Sequence, residues 1–253
     1  ARIGAERPAA ATALALRDLQ AAHLHAVPFE NLSVHLGEPI VLDEDALMAK
    51  LVARRRGGFC YEVNGAFALL LRALGFGVEL LGARAMTQDR LGPPLDHLAL
   101  RVVTTEDERP WLADVGFGAL CRHPLRLDLL EPQVDPWGTM QLVPTGHGDV
   151  DVVKDGKLHY RLELRPRELE EFAAMCWYQQ SSPSAMFTQS LVCTRPTDDG
   201  RVTLSERLLI ETVAGERRER TLDDDAEVLA VYRDRFGFEL TSVPTLRSPA
   251  SSR

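Results

Sequence analysis

Long apolar runs and an excess of basic residues are both missing from this 253-residue sequence. A membrane-spanning helix needs about 18 consecutive apolar residues, and the most apolar stretch, residues 66–83, is interrupted by Arg72 and Glu79. The 29 Lys and Arg residues are outnumbered by 37 Asp and Glu residues, so the net charge of −8 leaves no electrostatic footprint for nucleic acid. The N-terminal residues also lack the basic-then-apolar layout of a signal peptide. We therefore expect a cytoplasmic protein that binds neither membrane nor nucleic acid.

Cysteine is scarce as well. The four cysteines stand at positions 60, 121, 176 and 193. Their separations match no zinc site, and four cysteines in a chain of this length do not make a disulfide framework. We expect no metal, a reducing compartment and at most one thiol that does chemistry. Gly-rich nucleotide loops, the H-E-x-x-H motif of zincins and the G-x-S-x-G elbow of serine hydrolases are also absent, which argues against those enzyme classes.

The apolar residues follow two periods in turn. Up to residue 75 they recur at helical spacing, whereas from residue 78 they fall into short segments separated by Gly, Pro and Asp, as in an antiparallel sheet or small barrel. The predicted helices are 9–27, 43–55, one that opens after Gly57-Gly58 and ends at Gly75, 167–178 and 223–236. The predicted strands are 78–81, 98–103, 111–115, 140–143, 150–153, 158–164, 187–193, 202–204 and 208–213. We expect the tail from residue 241 to be frayed.

One cysteine has a setting that favours reactivity. Cys60 follows Gly57-Gly58-Phe59 and stands where a strongly periodic helix begins, so the unpaired N–H groups of the first turn can stabilise a thiolate. The neighbouring run Arg54–Arg56 adds positive charge. These conditions predict a thiol pKa below the ordinary value. The alternative is a small buried apolar side chain, and for the three other cysteines we expect no more than a place in the core or at the surface.

A histidine and a carboxylate fall on two successive predicted strands. His97 opens the strand 98–103, and Asp114 is the polar residue of the apolar strand 111–115. If residues 104–109 form the hairpin loop, His97 faces position 116, and Asp114 lies diagonally across on the same face within side-chain reach. A register shifted by two residues would place them directly opposite each other, whereas a slip by one residue would place the two on opposite faces. Considered alone, Asp114 could equally be a carboxylate at a strand end. His97 alone could be an ordinary loop residue.

Together the three residues predict a chemistry. His97 would take the proton of Cys60, Asp114 would orient the imidazole, and backbone N–H groups around Cys60 would bind the developing oxyanion. This arrangement transfers an acyl group through a thioester.

Four stretches of the chain resemble the arylamine N-acetyltransferases in order and spacing. They are Pro-Phe-Glu-Asn-Leu at 28–32, Arg-Arg-Gly-Gly-Phe-Cys-Tyr-Glu-Val-Asn at 55–64, Asp-His-Leu at 96–98 and Ala-Asp-Val-Gly-Phe-Gly at 113–118. The resemblance runs from residue 16 to residue 236, and Phe-Thr-Gln-Ser at 187–190 is a weaker match. Two departures are the order of Phe59 and Tyr61 around the cysteine and Ala119 in place of a second glycine. Ala119 adds a methyl group where the tail of CoA would pass.

The resemblance implies an α+β fold of the papain-like cysteine-protease-like superfamily. Its parts would be a helical lobe with the nucleophile (1–83), a β-barrel with the histidine and the aspartate (84–165), an interdomain helix (166–182) and an α/β lid (183–253). By the same resemblance, Glu30, Arg56 and Asn64 are structural hydrogen-bonding residues around the nucleophile.

The resemblance also implies an activity. Cys60, His97 and Asp114 would be the catalytic triad of a ping-pong cycle in which acetyl-CoA acetylates the cysteine and an arylamine or arylhydrazine accepts the acetyl group. Acetyl-CoA would be a co-substrate, and no tightly bound cofactor is expected. The residues expected to line the site for acceptor and CoA are Phe29, Phe117, Gly118 and Phe187.

Three other functions stay open at this point. An amide synthase that releases a polyketide chain from an acyl carrier protein as a macrolactam would share the triad. A papain-like thiol hydrolase would use the same three side chains, because a fold does not determine a function. A non-catalytic binding protein would keep the fold alone.

Overall fold

The structure, a computed structural model, describes residues 2–87 and 89–246. The part of the predicted frayed tail beyond residue 246 lies outside the described residues. The helices are α1 (Ala13–Ala26), α2 (Leu32–Leu36), α3 (Glu44–Met48), α4 (Cys60–Ala73), α5 (Ala173–Ser181), α6 (Met186–Gln189) and α7 (Asp225–Val231). The strands are β1 (Phe29–Glu30), β2 (Gly77–Thr87), β3 (Arg90–Leu91), β4 (His97–Val103), β5 (Trp111–Ala113), β6 (Leu125–Arg126), β7 (Gln133–Asp135), β8 (Gly138–Pro144), β9 (Val150–Lys154), β10 (Lys157–Arg167), β11 (Val192–Pro196), β12 (Gly200–Ser205), β13 (Leu208–Val213) and β14 (Glu216–Thr221).

Helices α1 and α4 form the core of the N-terminal part. Thr12 caps α1, because its side-chain oxygen accepts the N–H of Ala15 at 3.1 Å. The two helices meet where the ring of His23 packs on Phe67, with 5.1 Å between ring centroids. After α4 the chain turns at Gly75, whose φ of 89° favours glycine. None of the helices in the described part of the chain combines the length and apolarity that a membrane crossing requires.

Nine antiparallel strands form the central sheet, in the order β6-β5-β4-β2-β10-β9-β8-β7, with β3 paired to β2. Leu100 pairs with Ala113 and Val102 pairs with Trp111, which is the register predicted for the hairpin of β4 and β5. The predicted register is therefore confirmed. It brings the start of β4 beside the residues that follow β5.

A second sheet has the order β1-β11-β12-β13-β14 and packs against α7. Its short first strand reaches the other part of the molecule, because Phe29 pairs with Thr194 of β11 and forms a bridge with Gly58. The second sheet is thereby attached to the loop that precedes α4. The division into lobes at 83/84, 165/166 and 182/183 stays a prediction, and β2 runs across the first of these positions.

Two predicted elements are wrong in part. Residues 167–178 do not form one helix, because residue 167 still belongs to β10. A 3₁₀ turn (Leu169–Phe172) follows, and α5 begins only at Ala173. The predicted strand 187–193 begins instead with the helical turn α6, because the hydroxyl of Thr188 donates to carbonyl oxygens of the preceding turn.

Other differences concern element type and missed elements, which are helix α2 and strands β1, β3, β6, β7 and β14. The predicted helices 43–55 and 223–236 each end in a wider π turn, Ala49–Ala53 and Tyr232–Phe236. Strand β14 was not predicted from the sequence because all six of its residues are exposed and no apolar alternation marks it. It forms because it pairs along its whole length with β13.

Candidate active site

The loop before α4 places Cys60 at the first position of the helix. A side chain at Gly57 would collide with the carbonyl oxygen of Pro28, and one at Gly58 would come within 2.6 Å of a Glu62 carboxylate oxygen. Glycine is therefore required for this loop to pass so close to its neighbours. The Glu62 Oε2 atom accepts the N–H of Phe59 at 3.2 Å, which satisfies one donor at the start of the helix.

A buried ion pair supports this helix start. Lys50 Nζ lies 2.6 Å from the Oε1 atom of Glu62, and both side chains are almost wholly buried. Glu30 lies beside them, 3.9 Å from Lys50 Nζ and 2.8 Å from Arg56 Nη2. Arg56 and Glu30 thus join β1 to the loop that precedes the nucleophile, and their structural role stays a prediction.

His97 and Asp114 form a buried pair. His97 Nε2 lies 2.7 Å from Asp114 Oδ2. The other carboxylate oxygen accepts the Asn64 amide at 2.9 Å and the Gly116 N–H at 2.8 Å. Burial alone would raise the pKa of Asp114, but the imidazole and these hydrogen bonds hold that pKa below the ordinary value. The carboxylate is thus kept ionised and fixed in orientation behind the imidazole.

Asn64 connects the nucleophile helix to both strands. Besides Asp114, its amide contacts the carbonyl oxygen of Leu98 at 2.6 Å, and its Oδ1 atom accepts the N–H of Val115 at 2.9 Å. A side chain at Gly116 would come within 2.8 Å of the Cys60 Cα atom. The chain after β5 therefore lies directly against the nucleophile.

The surroundings of the Cys60 thiol correct the sequence prediction. Burial raises its pKa well above the ordinary value, the Asp96 and Asp114 carboxylates raise it further, and the N–H of Leu98 opposes them only in part. The expected contribution of the arginine run fails because Arg56 is paired with Glu30. Arg54 is likewise paired with Glu38. The prediction of a lowered thiol pKa is wrong, so this sulfur needs a base.

A cavity of about 870 Å³ opens onto Cys60 and His97. The four residues that the sequence analysis expected in a pocket all line it, namely Phe29, Phe117, Gly118 and Phe187. The Phe117 ring stands edge-on to His97 at 5.0 Å, and Phe29 and Phe187 pack together with centroids 5.8 Å apart. The structure thus brings all seven predicted residues to one region, with Asp114 behind His97. Their roles stay predictions.

The sequence analysis missed three residues of this region. Tyr160 packs on His97 with ring centroids 5.1 Å apart, and burial and the Asp114 carboxylate raise the pKa of its hydroxyl. Asp96 and Gln179 line the cavity. Asp96 could have been noticed as the neighbour of His97, whereas no local signal marks the other two. Within the described residues, no group of three or more His, Cys, Asp or Glu side chains is placed to hold a metal ion.

Comparisons with known proteins agree with this geometry. The family model described as N-acetyltransferase matches residues 13–244. The arylamine N-acetyltransferase of Mycolicibacterium smegmatis is 35% identical over 235 residues, covering 89% of this chain and 85% of its own. That of Escherichia coli is 35% identical over 247 residues, covering 94% and 86%.

Solved structures give the same result. A structure of the M. smegmatis arylamine N-acetyltransferase has a TM-score of 0.86 at 33% identity and covers 98% of this chain and 94% of its own. The Mycobacterium marinum arylamine N-acetyltransferase in complex with CoA has a TM-score of 0.84 at 32% identity and covers 94% and 90%. The predicted fold class is confirmed. This chain belongs to the arylamine N-acetyltransferase family and is a transferase.

Proposed function

We propose that this chain moves an acetyl group from acetyl-CoA to an arylamine or arylhydrazine through a thioester on Cys60. The observation that carries the proposal is the cavity that Cys60 and His97 share, with Asp114 bonded to the far side of the imidazole. The relative from M. marinum was solved with CoA, which supports acetyl-CoA as the donor. In this proposal acetyl-CoA is consumed as a co-substrate and is not held as a cofactor.

Activation of the sulfur begins at His97. Because Nε2 faces Asp114, Nδ1 is the nitrogen that takes the thiol proton. The raised pKa of the Cys60 thiol means that the thiolate forms together with the imidazolium and not by itself. Asp114 stabilises that imidazolium, since its own pKa is lowered. General acid–base assistance of this kind contributes about 10²- to 10⁴-fold in rate.

The first half-reaction forms the thioester. The Cys60 sulfur attacks the acetyl carbonyl carbon, and N–H groups at the start of α4, which have no partner within a helix, stabilise the oxyanion. The C–S bond to CoA then breaks, and the CoA sulfur leaves with the proton from His97. The second half-reaction transfers the acetyl group from Cys60 to the acceptor amine. The acceptor nitrogen attacks the thioester, its proton passes to His97, and the Cys60 thiol is regenerated.

The cavity wall favours an aromatic acceptor. Phe29, Phe117 and Phe187 line the same cavity as Cys60, and aromatic rings pack well in edge-to-face and tilted arrangements. We further propose that the protein works in a reducing, cytoplasmic compartment, which is supported by the four free, buried cysteines.

An acyl-donor comparison tests the proposal. The chain is mixed with acetyl-CoA or with an acyl group bound to a carrier protein, and its intact mass is measured before and after addition of an arylamine. We expect acetyl-CoA to add one acetyl group to the chain. We expect the arylamine to remove that group much faster than water does. The adduct is expected to be lost in Cys60→Ser and kept in Cys121→Ser, which replaces another buried free cysteine.

Any other outcome of the acyl-donor comparison would indicate one of the three alternative functions. Acylation by the carrier-bound donor alone would indicate the amide synthase, and release by water alone would indicate the hydrolase. The absence of any adduct would leave a binding protein. Each of these results would contradict the proposed acetyl transfer.

A further inference from the structure

A carboxylate lies on the cavity wall next to the reacting groups. Among the described residues that line the cavity, Asp96 is the one carboxylate, and Arg90 is the one Lys or Arg. Asp96 directly precedes His97 in the chain, whereas Arg90 is exposed at the end of a hairpin. Of the two carboxylates that raise the pKa of the Cys60 thiol, Asp96 has the larger effect. Its negative charge thus lies in the same cavity as the sulfur that would carry the acetyl group.

The mechanism proposed above makes no use of this carboxylate. Asp114 already orients His97 from behind, and Asp96 faces the cavity instead. Burial raises the pKa of Asp96 even though the Gln179 amide, the nearby imidazole, the N–H of Ala85 and the charge of Arg84 all oppose the change. A half-buried carboxylate that is poorly solvated gains free energy when a hydrogen-bond donor reaches it.

Gln179 holds the Asp96 carboxylate in place. Its Nε2 atom donates to Asp96 Oδ1 at 2.7 Å, which fixes the orientation of the amide. The Oε1 atom is consequently turned away from the carboxylate, and it is buried without a hydrogen-bond partner among the described residues. The side chain is only 7% exposed. This oxygen is shielded from solvent, so Gln179 fixes the orientation of the Asp96 carboxylate, and Asp96 is the acceptor that lines the cavity.

We propose that Asp96, held by Gln179, is a specificity-determining residue that selects acceptors with a second N–H donor next to the attacking nitrogen, as in an arylhydrazine. The terminal nitrogen of the hydrazine attacks the Cys60 thioester while its internal N–H donates to Asp96. The new C–N bond forms as the C–S bond breaks, and the proton of the terminal nitrogen passes through His97 to the sulfur. An arylamine has no such second donor. This inference rests on the proposed acetyl transfer.

Matched acceptors provide the test. The kcat/KM values for 4-chlorophenylhydrazine and 4-chloroaniline are measured with acetyl-CoA as donor, and their ratio is compared between the wild-type chain and Asp96→Asn. In a ping-pong cycle kcat/KM for the acceptor reports only the second half-reaction, so an effect on acetylation of the cysteine cancels. A hydrogen bond to a charged group leads us to expect the ratio to fall by about 10- to 100-fold.

Two further variants separate selection from a general structural role. Gln179→Met removes both amide groups at similar length, and we expect a smaller fall in the ratio, about two- to fivefold, because the carboxylate remains. Arg90→Gln removes the other charge on the cavity wall, and we expect the ratio to stay within twofold of the wild-type value. A merely structural role of Asp96 would slow both acceptors equally and leave the ratio unchanged.

The outcomes distinguish this inference from the proposed function. Intact mass is first used to show that acetyl-CoA acetylates the wild-type chain, and failure there would overturn the proposed function. Normal acetylation with an unchanged ratio in Asp96→Asn would overturn the role of Asp96 alone. A fall of equal size in Arg90→Gln would also overturn it, because the effect would then follow from charge anywhere on the wall.

Discussion

Two groups of ion pairs in this molecule differ mainly in burial. Beneath the nucleophile, Lys50 pairs with Glu62, and neither side chain is more than 6% exposed. On the hairpin of β13 and β14, Arg218 pairs with Glu216, and both side chains are more than three-quarters exposed. Each pair joins a basic side chain to a glutamate, but only the second pair is exposed to water.

This difference in burial shows where charged pairs determine the structure. Removal of two charges from water is costly, and the cost is offset only when each charge keeps a close, well-oriented partner. The buried group satisfies this condition and in return fixes the start of α4, because Glu62 also accepts the N–H of Phe59. Exposed pairs contribute little to stability. Their charges serve better to keep the edge strand β14 from pairing with other chains.

The largest expected effect concerns the buried carboxylate that acts on the chemistry. In Asp114→Asn we expect kcat/KM for arylamine acetylation to fall by about 10³- to 10⁴-fold, because an amide neither stabilises the imidazolium nor holds the same tautomer. Steady-state kinetics measure the loss, and circular dichroism checks that the fold is kept. Activity near the wild-type level would remove Asp114 from the mechanism.

The next effect is on stability. In Lys50→Met we expect the free energy of unfolding to fall by about 3–5 kcal/mol, because Glu62 is left buried without its partner. Urea denaturation measures the change. Arg218→Ala is the matched control on the exposed hairpin, and we expect it to leave the denaturation midpoint unchanged. Equal effects of the two variants would mean that burial does not distinguish the two groups.

A pH dependence sharpens the same comparison. Burial would raise the pKa of Glu30, but Lys50 and Arg56 lower it below its ordinary value of 4.5. A lowered folded-state pKa means that the stabilisation is present above pH 4.5 and is lost as the pH falls through the folded-state value. We expect Glu30→Gln to cost about 2 kcal/mol near neutral pH.

The cost should shrink in acid. Urea denaturation of the wild-type chain and Glu30→Gln at several pH values measures the difference in unfolding free energy. Glu219→Gln, on the exposed hairpin, is expected to show no such pH-dependent difference. A cost of Glu30→Gln that stays constant down to acid pH would contradict the ionised, paired state of this carboxylate.

The sequence was sufficient where local rules decide the structure. The two-residue period of strands and a symmetric loop predicted the register that brings His97 beside Asp114, and the glycines with the helical pattern predicted the position of Cys60. The position of these residues in one cavity could be expected from the family resemblance. These predictions depend on residues close together in the chain or on motifs.

The sequence was insufficient where distant residues decide the outcome. The sign of the Cys60 pKa shift depends on burial and on the pairing of Arg56 with Glu30, and neither can be read from the neighbours of Cys60. The contact between Asp96 and Gln179 joins residues 83 positions apart. Strand β14 has no apolar alternation, so only its pairing with β13 reveals it.

The central claim is that a buried thiol becomes reactive only through its neighbouring imidazole. Single-turnover acetylation of Cys60 by acetyl-CoA, followed by mass spectrometry in the wild-type chain and in His97→Asn, tests it directly. The raised thiol pKa predicts rapid acetylation of the wild-type chain and, in the variant, a rate lower by at least about 10²-fold at neutral pH. Acetylation of His97→Asn at the wild-type rate would show that the sulfur ionises without the imidazole and would contradict the account.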